Sequence, residues 1–136
     1  MEPSEAMAQR AIKRGIEVVH GVAEKLPYKD LQFDFALFVT ICYLTDVRRA
    51  IEEVHRVLKP NGAIVIGFLD SNQEIAKGYI AKKQKSTFYR KARFYGVEHL
   101  KRMLQESGFS DLEFNQTLFG DLEEISTVQF PKPEYG

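Results

Sequence analysis

Phe33-Asp34-Phe35-Ala36-Leu37-Phe38-Val39-Thr40 and, further along, Ala63-Ile64-Val65-Ile66-Gly67-Phe68 are the two runs that decide the fold. Each is too continuously apolar for a strand with one wet face, and so reads as a buried parallel strand. Between them Asp46 caps a helix in which Val47, Ala50, Ile51, Val54 and Leu58 recur at helical spacing, and Lys59-Pro60-Asn61-Gly62 is the turn that ends it. Strand, helix, strand is the unit from which parallel sheets are built.

Upstream, Ser4 caps a helix through about Arg14, with Ala6, Met7, Ala11 and Ile12 on its apolar side and Gly15 as the stop. The β-branched run Ile16-Glu17-Val18-Val19-His20 reads as a short strand that ends at Gly21 and enters a polar loop containing Leu26-Pro27. Downstream of Asp70 a less regular helical stretch reaches about Tyr95. An amphipathic helix follows, with Val97, Leu100, Met103 and Leu104 inward, closed by Ser107-Gly108-Phe109. Two last strands are expected over residues 112–119 and 125–130. The reading is an α/β fold over residues 1–136 as a single domain: a mostly parallel sheet, helices on both faces, and an antiparallel C-terminal hairpin at one edge.

Composition narrows the function classes. The 136 residues carry nineteen basic and nineteen acidic side chains, so no global field draws the chain to nucleic acid or membrane. Hydrophobic residues make up 44% and aromatics 12%, which excludes a disordered chain. Cys42 is the single cysteine and cannot form an internal disulfide; no apolar run approaches the roughly 18 residues of a membrane helix. The start, with Glu2, Glu5 and Arg10, is unlike a secretion signal, which points to a reducing, cytoplasmic setting and no membrane partner. His20, His55 and His99 are dispersed, and no Cys/His cluster has metal-ligand spacing.

Three strings taken in order, Gly21-Val22-Ala23-Glu24-Lys25-Leu26-Pro27-Tyr28, Phe33-Asp34-Phe35-Ala36-Leu37 and Arg56-Val57-Leu58-Lys59-Pro60-Asn61-Gly62, resemble class I S-adenosylmethionine-dependent methyltransferases of the type 11 group over roughly residues 2–110. The resemblance implies a Rossmann-like sheet and the cofactor S-adenosylmethionine. It aligns Glu2 with the acidic residue that binds the ribose hydroxyls, and Pro3 and Met7 with apolar positions near the adenine. Val22 and Ala23 fall in the adenine loop, and Thr40, Ile41 and Tyr43 follow the strand that ends beside the methyl donor. Val22 stands where the family usually has Asp, so a hydrogen bond to the adenine amino group is not available from that side chain. Ala23 still offers its backbone N–H. The residue-level alternatives stay open: an exposed terminal Glu2, a core Met7 and a plain buried strand end at Thr40.

The resemblance also implies an N-terminally incomplete chain. Residues 1–7 read as the end of one strand and the start of a helix, and the family's opening strand, glycine-rich loop and second strand have no counterpart here; Gly62, Gly67 and Gly78 are too scattered to replace the loop. Weak or absent cofactor binding is therefore expected, because the methionine end of the ligand lacks its cradle of backbone N–H groups. In the family the missing strands lie between those at Ile16 and Phe33, so exposed sheet edges and a homodimer that covers them are expected too.

Charge is local. Residues 75–97 contain Lys77, Lys82, Lys83, Lys85, Arg90, Lys91 and Arg93 with no acid, interleaved with Tyr79, Phe88, Tyr89, Phe94 and Tyr95. The stretch reads either as a surface for an anionic acceptor or RNA, or as a solvated face whose aromatics turn inward and whose cations pair with the acid-rich segment from Glu106 onward. The function expected from the sequence is methyl transfer to a small-molecule acceptor, impaired in this chain. The alternatives are a non-catalytic dimeric remnant of the fold and a basic RNA-contacting module.

Overall fold

A computed structural model describes residues 1–87, 89–119 and 125–133. Helix α1 spans Glu5–Lys13 and is followed by strand β1, Phe33–Val39, helix α2, Val47–Val57, and strand β2, Leu58–Gly67. Helix α3, Glu74–Lys82, leads through two short 3-10 turns to helix α4, Val97–Glu106. The two-residue strands β3, Asn115–Gln116, and β4, Lys132–Pro133, complete the order.

The β1–α2–β2 unit forms as its sequence requires. Strands β1 and β2 pair in parallel, Phe35 opposite Ala63 and Val39 opposite Gly67. The Asp46 side chain accepts from the Arg49 N–H at 3.0 Å and so caps α2. The turn expected at Lys59-Pro60-Asn61-Gly62 survives as an irregularity inside β2: Leu58 already pairs with Phe33, and the register then jumps to Ala63 opposite Phe35. Asn61 takes the left-handed conformation at φ 66°, and a side chain on Gly62 would sit 2.9 Å from the Lys59 carbonyl oxygen, so glycine is needed there.

One face of the sheet is covered. Ile41, Val47, Ile51, Leu100, Met103 and Leu104 form the core, with Phe38, Ile64 and Ile66 of the strands packed on it from below α2 and α4. The opposite face is not covered by the described residues: Phe35, Leu37, Val39 and Val65 are 54%, 58%, 71% and 48% exposed. This corrects the expectation of helices on both faces. The apolar side assigned to α1 fares similarly, since Met7 and Ile12 are exposed and only Ala8 of that helix is buried.

Three further expectations are corrected. Residues 16–20 form no strand; Ile16 is 56% exposed, and the segment's recorded lateral bond is from the Glu2 N–H to the Val19 carbonyl at 3.1 Å. β-branched content alone does not make a strand where no described segment forms a ladder with it. The strand expected over 112–119 contracts to β3, and the one over 125–130 gives way to β4, two residues further on; they pair antiparallel but as a separate sheet, not at the edge of β1–β2. Gln129 supplies the reason. Its side-chain amide bonds both the N–H and the carbonyl of Phe119, at 2.8 and 3.0 Å, and so takes the place of a backbone ladder, while Val128 and Phe130 stay exposed. Among the described residues no helix is long and apolar enough to cross a membrane.

Candidate active site

Open α/β sheets bind ligands at the carboxyl ends of their strands. Here that edge is shaped by Thr40, the residue after β1, which takes the left-handed conformation (φ 66°, ψ 57°) while its N–H donates to the Gly67 carbonyl at 3.1 Å. The chain thus turns sharply off the strand into Ile41-Cys42-Tyr43. Segment 92–95 is drawn against it: the Arg93 N–H donates to the Cys42 carbonyl at 2.7 Å, Ala92 is fully buried, and the Ser71 N–H donates to the Tyr95 carbonyl at 3.0 Å. Between these segments lies a cavity of about 350 Å³, within the range of small-molecule sites. Its lining includes Thr40, Tyr43, Tyr89, Arg93, Phe94 and Tyr95.

The rings behind the cavity pack on one another. Tyr79 and Tyr89 have centroids 4.6 Å apart, and Tyr89 and Phe94 6.3 Å. Burial pushes the Tyr89 hydroxyl up, with Tyr79 adding to the shift, and burial with the neighbouring Cys42 pushes Tyr43 up. Burial likewise raises the Cys42 thiol, opposed by a backbone hydrogen bond. These groups stay neutral at physiological pH, and Cys42 is not an activated nucleophile.

A second set of contacts fixes the loop over residues 21–28. Glu53 of α2 is buried. It accepts from the Leu26 N–H at 2.8 Å and from Arg56 Nε and Nη2 at 3.0 and 2.9 Å. Arg56 in turn donates to the Leu26 and Tyr28 carbonyls at 3.1 and 2.9 Å and to Asp30 at 2.7 Å. The Arg56 hydrogen bonds hold the Glu53 carboxyl down at about 2, against the opposing effect of burial and with help from the Leu26 N–H. Glu24 ties the same loop to the cavity side, since its Oε1 accepts from the Thr45 and Asp46 N–H groups at 2.7 and 3.1 Å.

The residues singled out in the sequence fall into two groups. Thr40, Ile41 and Tyr43 meet at the cavity, although Ile41 is 2% exposed and belongs equally to the core. Glu2, Pro3, Met7, Val22 and Ala23 do not line it. The Glu2 N–H donates to the Val19 carbonyl at 3.1 Å, a side chain on Gly21 would meet Met1 Sδ at 2.9 Å, and Glu24, the residue after Ala23, accepts from the Thr45 N–H at 2.7 Å. Glu2 Oε1 accepts from the Ser4 N–H at 2.8 Å, and the Ala23 N–H has no acceptor among the described residues. Met7 is 51% exposed and Val22 46%. His20 stands 3.5 Å from Glu5, away from the cavity.

Sequence reading did not single out Glu24, Glu53 or Arg56 as anchors of the loop. Nor did it assign Tyr89, Arg93, Phe94 and Tyr95 to one cavity, although their basic and aromatic interleaving was the signal. In the acid-rich segment, Asp121, Glu123, Glu124 and Glu134 lie outside the described residues, as does Phe88; Glu106 pairs with Arg48 and not with the basic stretch.

A methyltransferase domain model matches residues 1–66. An uncharacterised protein of Methanocaldococcus jannaschii is 40% identical over 134 residues, 98% of this chain and 65% of its own length. The demethylmenaquinone methyltransferase of Staphylococcus aureus is 32% identical, with 73% of this chain and 49% of that protein covered. A crystal structure of an S-adenosylmethionine-dependent methyltransferase of Thermotoga maritima, described as a possible histamine N-methyltransferase, superposes with a TM-score of 0.94 at 43% identity, covering 99% of this chain and 66% of that one. The chain thus spans 65% of the length of the Methanocaldococcus protein, 66% of the Thermotoga one and 49% of the Staphylococcus one. By sequence and by fold, it belongs to the class I S-adenosylmethionine-dependent methyltransferases.

Proposed function

We propose that this chain carries the adenosine-side and acceptor-side parts of a site for methyl transfer from S-adenosylmethionine to a small-molecule acceptor, and that the chain by itself binds the cofactor weakly. The observation that carries the reading is the cavity at the carboxyl ends of β1 and β2, where Thr40, Ile41 and Tyr43 meet.

The residues present fit one half of the cofactor. Glu2, with one carboxylate oxygen engaged by Ser4, retains the other for a ribose hydroxyl, and the Ala23 N–H is suited to an adenine nitrogen. Glu24 and the Glu53–Arg56 pair hold the intervening loop in place. For the methionine end the described residues offer no equivalent cradle: Gly62 sits in the β2 irregularity, Gly67 ends that strand and Gly78 lies within α3.

S-adenosylmethionine, when bound, supplies a methyl group on a sulfonium, which transfers to a nucleophile held in line with it. Positioning then supplies much of the rate without a strong general base. In this chain the ring-lined cavity would orient the acceptor and exclude water, and the neutral Tyr43 and Tyr89 hydroxyls would donate hydrogen bonds to it.

Isothermal titration of the 136-residue chain with S-adenosylmethionine tests the proposal. Losing several charge-assisted hydrogen bonds, at about 1.5–3 kcal/mol each, moves a micromolar ligand into the millimolar range. Millimolar binding that weakens further in Glu2→Ala is the expected result. Low-micromolar affinity, or an unchanged affinity in Glu2→Ala, would overturn it.

A further inference from the structure

Among the described residues Arg93 is the single charged one lining the ring-lined cavity, and it makes no ion pair there. Its backbone is fixed by the Cys42 carbonyl, and its guanidinium donates to the Thr45 carbonyl at 3.2 Å, which uses one of its five N–H donors. The side chain is exposed, so it stands at the rim with donors directed to solvent or to a ligand. The walls beside it are Tyr43, Tyr89, Phe94 and Tyr95.

We propose that this cavity selects a flat aromatic acceptor bearing a carboxylate or another anionic group, with the ring against the tyrosine and phenylalanine walls and the anion on Arg93. The assignment rests on the acceptor-site reading above and adds the chemical class of the acceptor.

Three observations converge on it. The walls are aromatic rings, which favour a planar apolar body over a flexible polar one. Among the described residues the lining contains no carboxylate, so a protonated amine would find no counter-ion there and would face a guanidinium instead. Neutral tyrosine hydroxyls and an undissociated Cys42 leave Arg93 as the source of local charge on the lining. A planar guanidinium matches a carboxylate in a two-pronged geometry that an ammonium group cannot reproduce. Rings also attract cations, but a cation seated on Tyr43 or Tyr89 must share the cavity with Arg93, and like charges at close quarters outweigh that attraction.

Three probes with one ring system separate the contributions: 2-naphthoate, 2-naphthylmethylamine and 2-naphthylmethanol, each titrated into the full chain without cofactor and followed by probe fluorescence. The acid is expected to bind about tenfold more tightly than the amine, with the alcohol between them. Arg93→Gln should remove the preference for the acid and leave the alcohol unchanged, and Arg93→Lys should restore part of it. Equal or tighter binding of the amine, or an acid affinity unmoved by Arg93→Gln, would overturn the assignment. Because no cofactor is present, failure of this test is distinguishable from failure of the methyl-transfer reading, which is judged on S-adenosylmethionine binding.

Discussion

Replacing Glu53 by Gln probes the contact that holds the 21–28 loop on α2. Gln keeps the volume and still offers an oxygen to the Leu26 N–H, but it removes the charge that Arg56 and Arg49 face. A carboxyl held at about 2 instead of 4.5 corresponds to roughly 3 kcal/mol at neutral pH, since each unit is worth about 1.4 kcal/mol. The Arg49 and Arg56 side chains are 54% and 32% exposed, so water screens part of this and the expected loss is about 2 kcal/mol. Because the folded carboxyl titrates below the unfolded one, its contribution is complete above about pH 4.5 and drains away as the pH falls through about 2. More than half is gone by about pH 3. Urea unfolding of both proteins at pH 7 and pH 3 measures this. A midpoint difference that is large at pH 7 and much smaller at pH 3, at constant m-value, supports the argument. A loss below about 0.5 kcal/mol at pH 7, or one that is equal at both pH values, would refute it, because the pair would then be behaving as an ordinary solvated one.

Two other outcomes are expected. The exposed apolar face made by Phe35, Leu37, Val39 and Val65, next to the edge of β1 that no described strand pairs with, should drive self-association of the isolated chain; light scattering at micromolar concentration should give a mass above 15.6 kDa, and a stable monomer with a cooperative melt would show that the face tolerates water. Lys82, Lys83 and Lys85 make no ion pair among the described residues, so changing all three to Gln should shift elution from heparin to lower salt if the segment meets polyanions, whereas unchanged elution would leave them as solvating charges.

The β1–α2–β2 unit was legible in the chain because its signals are local. Two apolar runs, an Asp46 cap and a Pro-Asn-Gly turn each impose their geometry within a few residues, and two of the three family strings lie on these same elements. The amphipathic helix from Val97 was legible for the same reason, since Val97, Leu100, Met103 and Leu104 are all buried. Residues 16–20 were misread because a strand is a property of a pair: the run has the right side chains, but among the described residues only the Glu2 N–H bonds it laterally, at Val19, and no ladder forms. The C-terminal strands shifted because one side chain, Gln129, satisfied the backbone of Phe119, a choice that composition does not encode.

The candidate site divides along the same line. Thr40 and Tyr43 could be placed from the strand that precedes them. The partnership of Arg93 with the Cys42 and Thr45 carbonyls spans about fifty residues, and that of Leu26 with Glu53 is 27 residues apart in sequence. Local periodicity carries no information about such distant pairings. Sequence by itself determined which segments become strands and helices around the central unit, and that the chain's charge is balanced overall. Tertiary structure alone decided that the basic aromatic segment folds back onto the end of β1. That closure depends on packing Ala92 and on hydrogen bonds between groups that become neighbours only after the sheet has formed.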